Sequence, residues 1–222
     1  MFFSTILEIA SRRYFSKSPI RLIAVPTTSG SGSEVTDFAI LTHNGVKHLV
    51  VDPKMRPDMA ILDSDLLQEL PKGLIADSGF DVLAHALEAC CAKGSGSFSD
   101  SLARDAFRMA FAALPRSYAG DRSVRLDMHK AASMAGLAFS QAGLGLCHAL
   151  SHALGGAFHV PHGRLNAVLL PAVLILSIGT GMVIWAYLTE GLYEAEGYTG
   201  TTTLAINVFC TVLGWLVCCW WS

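Results

Sequence analysis

Histidines are concentrated in residues 143–166 of the sequence, which read GLGLCHALSHALGGAFHVPHGRLN. Upstream of them, Asp81 and His85 are four positions apart, and so are His148 and His152. This spacing places both side chains of a pair on one face of a helix. One carboxylate and several imidazoles on helices that pack together are typical ligands of a transition metal. The residues that qualify as ligands on this ground are Asp81, His85, His148, His152 and His162.

A structural role is the alternative for each of these residues, because a histidine on an apolar helix is more often a hydrogen-bonded core residue than a ligand. Two pairs together with His162, in a chain with 15% charged residues, favour the metal site. Glu88, one turn beyond His85, is interpreted as a carboxylate on the helix surface, with contact to a ligand as the alternative. His159 is interpreted as pocket lining or structural. We expect the other three histidines of the sequence to be solvated: His43, His48 and His129.

The elements before residue 71 read as strands and turns. An apolar run, Arg21–Val25, is ended by Pro26 and predicts a buried strand, and Met59–Leu62 predicts another. Between them, Asn44-Gly45 is the dipeptide preferred in tight β-turns. Its flanking segments therefore predict a β-hairpin of Phe38–Leu41 with His48–Val51.

A loop of hydroxyls and glycines, TTSGSGS, occupies residues 27–33. Backbone N–H groups and hydroxyls in such a loop can hold an anion, and glycines allow close approach. Ser/Gly loops are more often plain connectors, so this pattern alone carries little weight. Lys47, taken alone, is interpreted as a solvated lysine of an edge strand.

Helix signals replace strand signals after Pro71. Five helices are predicted there, and the histidine pairs fall on the first and the fourth. Pro115 is expected to stop the second helix, and Gly155-Gly156 to end the fourth. The predicted ranges are 74–93, 99–114, 125–139, 144–154 and 165–176, with a further amphipathic helix at 3–16.

Composition excludes some functions. The 222 residues carry a net charge of −2 and no basic stripe, so nucleic-acid binding is not expected. The six cysteines fit no CxxC pattern, which predicts reduced thiols and a cytoplasmic protein, and no signal peptide is expected. Two long uncharged runs near the C-terminus exceed the roughly twenty apolar residues that span a bilayer. We expect an aberrant C-terminus there rather than a membrane hairpin.

Four longer motifs follow one another in the sequence. They are AVPTTSGSGSEVT at 24–36, KHLVVDPKMRPDMAILD at 47–63, DSGFDVLAHALEA at 77–89, and GLAFSQAGLGLCHALSHALGGAFHVPHGRLNAVLLP at 136–171. In order and spacing these motifs resemble the iron-containing (group III) alcohol dehydrogenases. The resemblance covers roughly Ser18 to Val173, and it is strongest to the propanol and ethanol dehydrogenases of propanediol and ethanolamine utilisation.

The resemblance implies a truncated form of the family's dehydroquinate synthase-like architecture, an α/β remnant followed by an all-α helical domain. The expected organisation is a partial nucleotide-binding domain at 1–70, a metal-binding helical domain at 71–176 and a divergent apolar tail at 177–222. The family's GGGSxxDxxK stretch, which holds the cofactor pyrophosphate, is expected ahead of Met1. We therefore expect negligible turnover by this chain alone at ordinary cofactor concentration.

The resemblance also sorts the candidate residues. It implies that Fe²⁺ is held by Asp81, His85, His148 and His162, and that His152 relays a proton near the substrate. Zn²⁺ suits the same ligands. It implies NAD(H) binding by Thr27, Thr28, Ser31, Ser33 and Lys47.

The implied activity interconverts a short-chain primary alcohol and its aldehyde, and the full-length family implies a homo-oligomer. The alternatives are an inactive metal-binding fragment, a membrane-associated fusion, and a relative with glycerol dehydrogenase or dehydroquinate synthase chemistry.

Overall fold

The computed structural model of the protein describes residues 21–44 and 46–176. The predicted helix at 3–16, Gly45 and the tail at 177–222 lie outside the described residues. The chain forms two compact units, Met1–Leu169 and Leu170–Ser222, and all candidate site residues belong to the first. Among the described residues, no helix combines the length and apolar composition needed to span a bilayer. The predicted division at residues 70 and 176 stays a prediction.

In the described part of the chain, four strands form two small sheets. Strand β1 (Ile23–Ala24) runs parallel to β4 (Met59–Ala60). The prediction of a buried strand at 21–25 is wrong. Only two of its residues are paired, and Leu22, Ile23 and Val25 are 51%, 53% and 45% exposed. Apolar composition had suggested burial, but in the part of the chain that is described β1 pairs with one neighbour only.

The predicted hairpin is confirmed. Strand β2 (Phe38–His43) pairs antiparallel with β3 (Val46–Val51), in a register that sets Phe38 opposite Val51. Asn44 at the turn has a φ of 49°, the left-handed conformation that tight hairpin turns require. Lys47 is the second residue of β3 and so projects from the strand near its turn.

Helices make up the rest of the described chain. They are α1 (Lys72–Cys91), α2 (Ser97–Ala119), α3 (Arg125–Ala142) and α4 (Leu146–Phe158), and residues 162–176 are helical as well. Short 3₁₀ turns occupy Pro53–Met55, Ser64–Leu67 and Arg122–Val124. The predicted fold class, a small α/β part followed by a helical part, is confirmed.

Helices α1, α2 and α3 pack together through small side chains. Alanines fill much of their shared core, with larger residues such as Val82 and Met128 between them. Gly79 of α1 faces Leu114 of α2 so closely that an added Cβ would overlap the leucine side chain. Burial of each larger apolar side chain contributes about 1.5–3 kcal/mol. The close approach of the three helices fixes α1, which carries Asp81 and His85.

Two predicted helix ends are wrong. Pro115 lies inside α2, which continues to Ala119; the proline is on the exposed face, where water can replace its missing hydrogen bond. Helix α4 likewise runs through Gly155 and Gly156 to Phe158. An added Cβ on Gly155 would lie 3.2 Å from Lys47 Nζ, so this glycine serves close approach rather than helix termination.

Candidate metal centre

Four side chains converge on one point. Each of them offers one ligand atom, and these atoms all lie within 4.8 Å of one another. Oδ1 of the carboxylate is 3.8, 3.6 and 3.5 Å from Nε2 of the three imidazoles in chain order. The group is Asp81, His85, His148 and His162. The structure thus brings together the four residues that the sequence resemblance assigned to a metal.

Three elements supply the four residues. Asp81 and His85 are one turn apart on α1 and are buried. His148 is the third residue of α4, and His162 is the first residue of the helical segment 162–176. Gly163, next to His162, lies against α1 so closely that a Cβ would overlap the carbonyl of Asp77. This contact is what brings His162 within reach of Asp81.

The pKa values of Asp81, His85 and His162 favour the binding of a cation. Burial alone would raise the pKa of Asp81, but His85 and the other imidazoles hold it well below its ordinary value. Burial lowers the pKa of His85 to about 3 and that of His162 to about 4. At neutral pH these shifts leave the Asp81 carboxylate ionised and the His85 and His162 rings neutral, which is the form in which these three residues bind a metal ion.

Glu88 lies outside the four-residue group and contacts one of its members, His148. It is buried, and its carboxylate accepts hydrogen bonds from the backbone N–H of Cys147 at 2.7 Å and of His148 at 3.3 Å. His148 Nδ1 lies 2.5 Å from Glu88 Oε2. Although burial opposes it, the hydrogen bonds to Asp81 and Glu88 raise the pKa of His148. Interpreting Glu88 as a surface carboxylate was wrong, and the alternative, contact with a ligand, is what the structure shows.

Asn166 is a site residue that sequence reasoning missed. It is fully buried, and its Nδ2 donates to Asp81 Oδ1 at 2.7 Å. The same nitrogen lies 3.2 Å from Nε2 of His148 and 3.2 Å from Nε2 of His162. Its spacing of four residues from His162 was visible in the sequence and could have indicated it.

His152 lies beside the four-residue group but outside it. Its ring centroid is 4.8 Å from that of His162 and 6.3 Å from that of His148, and it lines the same cavity. Burial, followed by the charges of His148 and Lys47, lowers the pKa of His152. A neutral imidazole at this place can accept a proton.

The serine-rich loop reaches the site and is anchored to α3. Gly32 has a φ of 63°, and an added Cβ would lie 2.7 Å from the Cα of Gly136. Ser29 Oγ lies 2.9 Å from His129 Nδ1, and Ser133 Oγ donates to Glu34 Oε1 at 2.5 Å.

His129 is fully buried, so the expectation that it is solvated is wrong. Nothing near this histidine of α3 in the sequence indicated a partner, because the partner, Ser29, is a hundred residues away.

The predicted cofactor residues divide into two groups. Ser31 and Ser33 line the cavity that contains the four-residue group. Thr27 and Thr28 belong to the same loop but are not among the residues that line this cavity. Lys47 lies against Gly155 of α4, and its charge lowers the pKa values of His152 and His162.

The cavity has a volume of about 440 Å³, and its lining combines the four-residue group, His152 and the hydroxyl residues Ser31, Ser33 and Thr36 with apolar side chains. Phe139 stacks on His85 with 4.4 Å between ring centroids, and Phe38 lies 5.5 Å from Phe139. These rings form the wall beside the candidate ligands. The apolar lining residues are Phe38, Ile40, Leu49, Phe139 and Leu144. A small molecule with one polar end fits this distribution.

Comparison with known families gives two matches. Residues 3–64 match the family described as iron-containing alcohol dehydrogenase. Residues 75–198 match the C-terminal part of the Fe-containing alcohol dehydrogenase family, so the match continues past Val173, where the sequence resemblance had been expected to end.

Individual relatives agree with these matches. Aldehyde-alcohol dehydrogenase 2 of Entamoeba histolytica is 48% identical over 156 residues, which are 69% of this chain and 18% of that protein. The 1-propanol dehydrogenase PduQ of Salmonella typhimurium is 46% identical, over 71% of this chain and 44% of its own length.

A solved iron-containing alcohol dehydrogenase from Thermococcus thioreducens superposes with a TM-score of 0.67 at 43% identity, over 76% of this chain and 45% of its own. The chain spans less than half the length of these relatives.

Proposed function

Because the chain belongs to the iron-containing alcohol dehydrogenase family, we propose that it carries the metal centre of an oxidoreductase that interconverts a short-chain primary alcohol and its aldehyde with NAD(H). The observation that carries this proposal is the convergence of one buried carboxylate and three imidazoles inside a largely apolar cavity. The similarity to a 1-propanol dehydrogenase supports the choice of a short primary alcohol. Free thiols at Cys90, Cys91 and Cys147 support a cytoplasmic location.

Asp81, His85, His148 and His162 would hold a divalent ion, and their donor set fits both Fe²⁺ and Zn²⁺. When bound, such an ion supplies Lewis-acid activation of an alcohol hydroxyl. Asp81 brings the negative charge, since the pKa values of His85 and His162 keep these rings neutral. Glu88 keeps the Nδ1 hydrogen on His148, so that its Nε2 lone pair faces the other ligands.

The remaining residues bind and orient the reactants. The wall of Phe38 and Phe139 takes the carbon chain of the alcohol and excludes water from it. His152, neutral because its pKa is lowered, accepts the hydroxyl proton and passes it towards solvent. Ser31 and Ser33 stand at the same cavity, where their hydroxyls can fix the carboxamide end of the nicotinamide.

The rest of the proposed cofactor site lies farther from the four-residue group. We assign Lys47 and the preceding part of the loop, Thr27 and Thr28, to the portion of NAD beyond the nicotinamide. Lys47 supplies a positive charge next to α4, which suits a phosphate oxygen. These 222 residues contain no GGGSxxDxxK stretch to hold the pyrophosphate, so we expect them to bind NAD weakly by themselves.

The proposal is tested by metal and alcohol binding, measured separately from turnover. Prepared anaerobically with a reductant, the protein should bind about one divalent ion per chain, as a site with a single set of ligands requires. Addition of 1-propanol should change the visible spectrum of the Co²⁺-loaded protein. The Asp81→Ala variant should lose both signals. The absence of bound metal in a folded wild-type sample would contradict the proposal.

Turnover, followed as NADH formation, is the second measurement. Alcohol-dependent NADH formation should be negligible at ordinary NAD concentration and should increase without saturating as NAD is raised, because weak cofactor binding is expected, and Asp81→Ala should abolish it. A matched control is Asp105→Asn on the exposed surface of α2, which should leave the rate unchanged. A protein that binds metal and 1-propanol but forms no NADH at any NAD concentration would be an inactive metal-binding chain instead.

A further inference from the structure

Asn166 occupies an unusual place for an amide side chain. Its Nδ2 is within 3.2 Å of ligand atoms from three different candidate ligands, Asp81, His148 and His162. Its side chain is fully buried, so no water competes for these contacts. Without a cation, the lone pairs of a carboxylate and a neutral imidazole that face one another repel. The amide has two hydrogens. One is donated to Asp81 Oδ1, and the other can be donated to Nε2 of His162 or of His148, so the amide relieves part of that repulsion.

The orientation of the amide is fixed from its other end. Oδ1 accepts a hydrogen bond from Ser151 Oγ at 2.5 Å, and Cys147 Sγ lies 3.6 Å from the same oxygen. The reversed amide would set Oδ1 against Asp81 Oδ1, two acceptors at 2.7 Å with no hydrogen between them. Ser151 is also fully buried, one turn beyond Cys147 on α4. Asp81 therefore decides which way round the amide lies, and Ser151 on α4 holds its Oδ1 end in place.

We propose that Asn166 is a positioning residue, held by Ser151, that sets the Asp81 carboxylate and the His148 and His162 rings in their ligand arrangement before a metal ion enters. The inference rests on the proposed function, since it assumes that these residues bind a metal. His162 and Asn166 are one turn apart on a single helical segment. That segment thus delivers both a ligand and the group that orients the ligands of α1 and α4.

The consequence is that metal affinity depends on a residue that is not itself a ligand. Removal of residues that hydrogen-bond to metal ligands typically weakens metal binding about 10- to 100-fold. We expect Asn166→Leu, which keeps the branching at Cγ in a somewhat larger side chain and removes every side-chain hydrogen bond, to lower Co²⁺ and Zn²⁺ affinity by that factor. Ser151→Ala should lower it in the same direction by less, because Asn166 remains but can turn.

The experiment measures Co²⁺ affinity by competition with a coloured chelator and records the visible spectrum of bound Co²⁺, which reports ligand geometry rather than stability. Wild type, Asn166→Leu and Ser151→Ala are compared with Ser101→Ala, an exposed helix serine on α2 that should behave as wild type. A shifted Co²⁺ spectrum together with weaker binding supports the inference. Wild-type affinity and spectrum in both variants would overturn it.

Failure of the inference is distinguishable from failure of the proposed function. If wild type takes up no Co²⁺, the metal site itself is contradicted and the inference falls with it. If wild type binds and Asn166→Leu does not fold, Ser151→Ala decides, because it removes one hydroxyl and leaves the amide in place. An unchanged Co²⁺ spectrum in Ser151→Ala would then reject a positioning role for the pair.

Discussion

Replacing Glu88 by Gln should weaken metal binding although Glu88 is not a candidate ligand. Its carboxylate accepts three hydrogen bonds, from Cys147 N at 2.7 Å, His148 N at 3.3 Å and His148 Nδ1 at 2.5 Å. Glutamine has one acceptor oxygen, so if that oxygen stays with the backbone of α4, its amino group faces His148 Nδ1. Two donors then meet, and His148 is forced to lose the Nδ1 hydrogen and to carry one on Nε2 instead.

The size of this effect follows from the bonds lost. A hydrogen bond to a charged group contributes about 1.5–3 kcal/mol, and each factor of ten in affinity corresponds to about 1.4 kcal/mol. A hydrogen on His148 Nε2 must be removed before a metal can bind there, so we expect Zn²⁺ or Co²⁺ affinity to fall about 10- to 100-fold. The stability of the metal-free protein should fall by about 1.5–3 kcal/mol, because the charged hydrogen bonds between Glu88 Oε2 and His148 are lost.

The assay is chelator competition for the metal and urea unfolding for the metal-free protein. Glu69→Gln is the matched control, since this glutamate is exposed and pairs with Arg122 at the surface. Surface ion pairs contribute little, so both measurements should stay close to wild type in the control. If Glu88→Gln kept wild-type affinity while losing stability, Glu88 would be a cap for α4 and the argument from the His148 tautomer would be refuted.

A further prediction concerns packing at Gly163. Gly163→Ala should destabilise the protein by about 3 kcal/mol or more and weaken metal binding, because its Cβ would overlap the Asp77 carbonyl and displace His162. Gly73→Ala in the same helix as Asp77 is the control; nothing lies within 4 Å of its Cβ, so urea unfolding should show equal or greater stability.

Burial lowers the pKa of His129 below 6.5, so the unfolded protein binds more protons between the two pKa values and stability falls as pH drops below about 6.5. His129→Asn should make unfolding less dependent on pH in that window, and an unchanged dependence would contradict this assignment.

The sequence predicted most where periodicity and spacing act within one element. Asp81 and His85 are one turn apart on α1, and the prediction that both face inward needed only the helical repeat. The hairpin was predictable for the same reason, because Asn44 marks a turn whose backbone few residues adopt. Both features depend on neighbours in sequence, and local chemistry determines them.

The errors arise where distant residues decide. Pro115 and Gly155 carry strong local signals for a helix end. Helix α2 continues through Pro115 because the proline lies on an exposed face. Helix α4 continues through Gly155, where the absence of a side chain leaves room for Lys47. Local propensity is a weak prior that tertiary packing overrides. Glu88 was misread for a related reason. A carboxylate one turn beyond His85 resembles a solvated residue until the start of α4 is known to lie against it.

The residues that sequence reasoning missed or, like Glu88, misassigned share a physical property. Asn166, Glu88 and Ser151 are buried polar groups whose hydrogen-bond partners lie on other elements. Ligands can be recognised from their type, since few residues bind metals. A residue that orients a ligand can be any donor or acceptor, and only its partners reveal it.

The same reasoning explains why four ligands alone would not make this site. Asp81 faces three imidazole nitrogens at 3.5–3.8 Å, an arrangement that repels itself when empty unless other groups supply hydrogens. Glu88 holds the His148 ring through its Nδ1, and Asn166 donates hydrogen bonds on the side where the ligand atoms face one another. The folded chain therefore sets the ligand geometry before any ion binds.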